Sequence, residues 1–123
     1  MNGFFKGIKL PKVSDEDRHL CDMDITSKEV EDAIDTLAVG KACGPDGLPP
    51  EIYKAFKSIF SPLLVRMFKH SLSIKKLPQS LQMSTINVLL KENKDSNNPA
   101  SYRPISIQNT DCKILAKLLA SRL

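Results

Sequence analysis

Residues 84–107 read STINVLLKENKDSNNPASYRPISI. Two β-favouring runs bracket a polar stretch. Thr85, Ile86 and Val88 suit a strand, and so does the run YRPISI at 102–107. Between them, residues 92–101 hold three asparagines and one proline, the composition of a loop. Strand, polar loop and strand together predict a long hairpin. Pro104 has no N–H for a ladder, so its strand lies at an edge or carries a bulge. The rest of the chain reads as helix and loop. This stretch therefore decides the class as α+β, mostly helical with one β-hairpin.

Outward from the hairpin, the periodicity is helical. Downstream, Thr110 is placed to cap a helix whose Ile114, Leu115, Leu118 and Leu119 form an apolar stripe. That helix is expected to run over 110–123 and to reach Leu123 with no stop signal, as though cut. Upstream, Ser61-Pro62 reads as a cap and first helical residue of a helix over 62–76. Leu64, Val65, Met67, Phe68 and Leu72 give it an apolar face, and Leu77-Pro78 is expected to end it. Pro50 opens another helix over 50–60 with Ile52, Tyr53, Phe56 and Ile59. Before it, GKACGPDGLPP (40–50) is a loop, with Gly44-Pro45-Asp46-Gly47 suited to a tight turn. It is no phosphate-cradling P-loop, because its Gly-Lys pair lacks both the preceding glycine and a following Ser or Thr. Thr26 and Glu29 form a capping box for a helix over 26–38, with Ile25 able to staple onto Val30. Val30, Ala33, Ile34 and Leu37 supply its buried face. Residues 1–24 show no sustained period and are expected to be a poorly structured lead-in. Residues 25–123 then form one unit.

Composition narrows the classes. The 123 residues are 41% apolar and 26% charged, neither disordered nor membrane-embedded by composition. No apolar run approaches the length of a membrane helix, and MNGFFKGIKL makes a poor secretory signal, so an intracellular protein is expected. Cys21, Cys43 and Cys112 are odd in number and far apart, which supports neither a disulfide framework nor a zinc ribbon. His19 and His70 have no partner at ligand spacing. The net charge of +4 is unevenly spread: residues 1–50 hold 6 basic against 10 acidic side chains, residues 51–123 hold 12 against 4. A basic C-terminal part suits a polyanion partner.

Metal-assisted chemistry needs carboxylates held together, and no convincing pair can be picked from the sequence. The informative residues are Lys91 and Arg103, at the two ends of the hairpin loop. A guanidinium presents a fork to phosphate oxygens, and an ammonium adds a point charge. Together they suit a triphosphate, with Lys94 in the loop able to contribute. Spacing alone leaves two readings open, a phosphate clamp or two solvated surface charges, and side-chain parity does not decide between them.

Three strings go further. GKACGPDGLPPEIYK (40–54), LPQSLQMSTINVLLKENKD (77–95) and SYRPISIQNTDCKILAKLLASRL (101–123) resemble, in order and spacing, the N-terminal part of the reverse transcriptase of non-LTR, LINE-type retrotransposons. The resemblance covers about residues 26–123. It implies an incomplete right-hand polymerase, with fingers and upstream segment but neither palm nor thumb. It implies that Lys91 and Arg103 contact the triphosphate of an incoming nucleotide, and that Lys41, Lys54 and Lys94 contact template. The parent enzyme would work on an RNA template, a DNA primer and deoxynucleoside triphosphates, in the nucleus, with Mg²⁺ held by palm aspartates. Those aspartates are not in this sequence. The expectation is therefore an inactive fragment with no catalytic residue, no metal or cofactor of its own, and weak or no nucleic-acid binding. A stand-alone basic RNA-binding module and a functionless remnant of a decayed element are the alternatives. Leu90 stands where the family often has proline, and Glu92-Asn93-Lys94-Asp95 replaces a glycine-bearing fingertip.

Overall fold

The computed structural model of the protein describes residues 12–123. The elements run α1 (Asp15–Asp22), α2 (Ser27–Asp35), α3 (Pro50–Ala55), α4 (Lys57–Ser73), α5 (Gln79–Gln82), β1 (Ser84–Leu90), β2 (Tyr102–Gln108) and α6 (Thr110–Ser121), with a 3-10 turn at Pro99–Ser101. The class expected from sequence, mixed and mostly helical with one antiparallel hairpin, is what the described residues form.

The core is built around α2. The Thr26 hydroxyl accepts from the Glu29 N–H, and the Glu29 carboxylate accepts from the Thr26 N–H at 2.9 Å, so the capping box forms as its spacing predicts. Val30 and Ile34 on its inner face are fully buried. Against them lie Leu64 and Phe68 of α4 and Ile114, Leu115 and Leu118 of α6. Ile25 joins the same cluster. Burial of each such side chain contributes about 1.5–3 kcal/mol, and α3 adds Tyr53, whose ring lies 4.6 Å from that of Phe60.

Several expected boundaries move. The break between the middle helices lies at Phe56 (φ −113°, ψ 32°), and α4 runs from Lys57 straight through Pro62. Ser61 is no cap. It is buried, and its hydroxyl donates to the Ser27 carbonyl at 3.0 Å, a tie between α4 and the first turn of α2. The far end of α4 also stops before Leu77-Pro78. Lys75 adopts φ 53°, its N–H bonds the Leu72 carbonyl, and the Lys76 N–H bonds the Ser71 carbonyl. These bonds are a Schellman motif with lysine where glycine usually stands. Phe56, Ile59 and Leu72, expected on apolar faces, are more than half exposed. Within the expected lead-in, Asp15–Asp22 is helical, although it buries nothing. Ser14 caps it, and Asp15, Glu16 and Asp17 oppose the positive end of its dipole. The remaining part of that expectation, residues 1–11, lies outside the described residues.

The hairpin register is unbroken, from Ser84 opposite Gln108 to Leu90 opposite Tyr102, with Val88 opposite Pro104. The Lys91 N–H donates to the Ser101 carbonyl at 2.8 Å. Alternation then turns the N–H groups of Leu89, Asn87 and Thr85 toward β2, while the backbone position of Pro104 faces outward. The proline therefore costs no ladder bond. It sits on an outer edge and needs no bulge.

Candidate functional site

The site is assembled where three distant segments meet. Asn109, at the junction of β2 and α6, is 2% exposed. Its side-chain oxygen accepts from the Asp46 N–H at 3.1 Å, and its amide nitrogen donates to the Ser80 carbonyl at 2.9 Å. One side chain thus joins the Gly44–Gly47 turn, the lead into β1 and the start of α6. The turn closes by Gly47 N–H to Gly44 C=O, and the Asp46 carboxylate accepts from the Leu48 N–H. Gly44 must lack a side chain: a Cβ there would stand 2.5 Å from the Asn109 nitrogen and 2.6 Å from its Cα. Thr110 was the expected cap of α6, but Asn109 takes that position. The Thr110 hydroxyl donates instead to the Leu48 carbonyl at 2.8 Å, a second tie to the same loop. Sequence reasoning missed Asn109 because its partners lie 29 and 63 residues away, and no local period signals such a contact.

From this anchor the hairpin projects outward, with all seven residues of β1 exposed. Leu89 faces Arg103 across the ladder. Lys91 lies two residues beyond Leu89, so alternation puts Lys91 and Arg103 on the same face as diagonal neighbours, roughly 7–8 Å apart in such pairs. The Lys91 ammonium donates to the Ala100 carbonyl at 2.8 Å. Arg103 is exposed, and its side chain makes no hydrogen bond or ion pair among the described residues. The connecting loop is held by its own polar groups. Asp95 accepts from the Asn97 N–H, Asn98 accepts from the Ala100 N–H, and the Tyr102 hydroxyl donates to the Ser96 carbonyl. Asn93 supplies the left-handed residue (φ 56°) at the tip, where Lys94 is exposed. Asparagine tolerates that conformation better than most residues, which offsets the missing glycine.

The other two expected contact residues part company. Lys41 is exposed on the Gly-rich loop. Lys54 is half-buried, and its ammonium donates to the Asp35 carbonyl at 3.0 Å, next to the C-terminal end of α2. Among the described residues no group of three or more His, Cys, Asp or Glu side chains gathers as a metal site. Asp46 and Asp111 do come within electrostatic range of each other. Burial pushes the Asp111 carboxyl up, and the Asp46 charge adds to the rise. No helix among the described residues is long and apolar enough to cross a membrane.

A second unforeseen residue closes the frame. Arg122, at the end of α6, holds Glu29 through Nε at 2.7 Å and Nη2 at 3.0 Å. It also donates to the carbonyls of Cys21, Met23 and Asp24. The guanidinium holds the Glu29 carboxyl down at about 2, against an ordinary 4.5, despite an opposing contribution from burial.

No protein-family model matches the chain. It is 30% identical over 114 residues to the transposon TX1 uncharacterized 149 kDa protein of Xenopus laevis, covering 93% of this chain and 9% of that protein. It is 29% identical over 101 residues to the retrovirus-related Pol polyprotein from type-1 retrotransposable element R1 of Bradysia coprophila, covering 81% and 10%. It is also 29% identical over 99 residues to the probable RNA-directed DNA polymerase from transposon BS of Drosophila melanogaster, covering 80% and 11%. The resemblance carried by the three strings is therefore borne out. The chain is similar to transposon-encoded proteins over most of its length and spans about a tenth of the length of the curated relatives it matches.

Proposed function

We propose, from this kinship with transposon-encoded RNA-directed DNA polymerases, that the chain is the fingers and upstream segment of a reverse transcriptase, and that its hairpin receives the triphosphate of an incoming deoxynucleotide. The observation that carries the reading is the hairpin register, in which Lys91 and Arg103 share one face. Arg103 offers a planar fork to two phosphate oxygens, and Lys91 a mobile charge. The carbonyl of Ala100 is a neutral acceptor for the Lys91 ammonium. A triphosphate oxygen is a stronger one, because its negative charge adds Coulomb attraction to the ammonium that a neutral carbonyl does not supply. The Asn109 anchor supports this role by fixing the base of the hairpin to the helical frame while leaving its strands exposed.

The 123-residue chain by itself binds without polymerising. Phosphoryl transfer by this class of enzyme uses divalent metal ions to steady the attacking and leaving oxygens. The gathered acidic side chains that would hold such ions do not occur among the described residues, so no step is assigned to a metal here. In the parent enzyme, Mg²⁺ would be held by acidic side chains outside this segment, and RNA template and DNA primer would engage the assembled polymerase. Two assays test the reading. Titration with deoxynucleoside triphosphate is expected to saturate, with affinity falling at least tenfold in Arg103→Ala. Primer extension with Mg²⁺ is expected to give no product above buffer. An unchanged titration in Arg103→Ala, or extension by the purified chain, overturns it.

A further inference from the structure

A groove of about 450 Å³ runs between the C-terminal end of α2, the Gly-rich loop and α6. Lys41, Lys113 and Lys117 line it, with Ala38, Pro50 and Ala116 among the surfaces between them. No Asp or Glu lines it among the described residues. The described ion pairs engage Lys57, Lys69 and Arg122 and leave these three lysines out. Beside it Glu51 accepts from the Gly40 N–H, and an adjoining groove that shares Lys117 carries Asp32, which is exposed, and Glu29, which is already held by Arg122.

We infer that this groove holds the sugar–phosphate backbone of a single nucleic-acid strand. The occupant follows from the chemistry. Three unpaired ammoniums on an otherwise uncharged surface call for a polyanion. Lys113 and Lys117 are one helical turn apart, about 6 Å along the axis, so they can meet neighbouring phosphates, and Lys41 approaches from the loop. The walls carry alanine and proline in place of aromatic rings, so bases have no stacking platform. Binding is therefore through the backbone, weak and indifferent to base sequence. Of the three groove lysines, Lys41 alone was among the residues expected from sequence to contact template. Lys113 and Lys117 were not singled out by the sequence. The inference rests on the polymerase kinship for the presence of a strand, but it engages a surface separate from the hairpin.

Anisotropy titration of a labelled oligo(dT) strand with the full 123-residue chain tests it. Three phosphate contacts on a single strand predict a log–log salt slope near −2, a loss of roughly twentyfold between about 50 and 200 mM salt. The variant Lys41→Gln with Lys113→Gln and Lys117→Gln is expected to abolish most of that slope and weaken low-salt binding at least tenfold, while triphosphate titration at the hairpin stays unchanged. Charge reversal in Lys113→Glu with Lys117→Glu is expected to weaken binding further, and circular dichroism of each variant checks that the helices persist. Strand binding by the triple variant equal to that of the parent chain overturns the inference, as does no binding at low salt. Displacement by poly-glutamate as readily as by unlabelled strand also overturns it, by pointing to an acidic protein partner. Failure of triphosphate binding with a preserved groove effect would count against the hairpin alone.

Discussion

The helical frame and the hairpin are opposite solutions to the same problem of apolar side chains. In the frame, Val30, Ile34, Phe68, Ile114 and Leu118 are wholly buried, and polar ties such as Ser61 to Ser27 and Arg122 to Glu29 fix which helix meets which. In the hairpin, Ile86 and Val88 are more than 60% exposed, and the ladder holds two strands with no further sheet among the described residues. A lone two-stranded hairpin is marginal in water. This one is stabilised at its base by Asn109 and within its loop by its own hydrogen bonds. The lesson is a division of labour: the frame supplies stability, and the hairpin presents charge at the end of an exposed ladder.

That contrast can be broken experimentally. The largest effect is expected in the frame, where Phe68→Ala should cost about 3–5 kcal/mol in urea denaturation. A loss below 1 kcal/mol would mean that the core is not where burial places it. Next comes the joint between the regions. Gly44→Ala drives a methyl into the Asn109 backbone and should cost about 3 kcal/mol, with faster amide exchange at the hairpin base. Rescue would require the turn to shift away from Asn109.

The third effect depends on pH. The folded Glu29 carboxyl titrates at about 2, below its ordinary 4.5. A depressed acid contributes stability that is complete above its unfolded value and is lost as pH falls through the folded one. Thermal stability of the parent chain should therefore decline between about pH 4.5 and 2 more steeply than that of Glu29→Gln. Parallel declines would exclude the Arg122 clasp as the cause. The smallest effect belongs to the hairpin itself, where Val88→Ala should change stability by less than about 0.5 kcal/mol. A loss as large as that of Phe68→Ala would erase the distinction between the two regions.

How far the sequence foretold this arrangement depended on the range of the interaction. The Thr26–Glu29 box spans three residues and was legible. So were the stripes of α2 and α6, which repeat with the helical period, while the missing N–H of Pro104 left an edge or a bulge open until the register chose the edge. Residues whose roles are long-range were misread. Ser61 looks like a cap beside Pro62 until its partner, Ser27, is seen 34 residues away. Lys75 takes a left-handed conformation usual for glycine, so the true end of α4 carried no glycine signal. The helix at Asp15–Asp22 has no apolar stripe for periodicity to detect and depends on Ser14 and its acidic first turn. At the candidate site, Lys91 and Arg103 could be named from sequence, but their common face needed the register. The groove lined by Lys113 and Lys117 needed the packing of α6 beside α2.

The central claim concerns the hairpin face, and amide chemical-shift mapping during deoxynucleoside triphosphate titration addresses it most directly. The account predicts saturable shifts confined to Lys91, the adjoining loop and Arg103, and their disappearance in Arg103→Ala. Shifts centred elsewhere on the helical frame, or a hairpin that responds identically without the guanidinium, would contradict it.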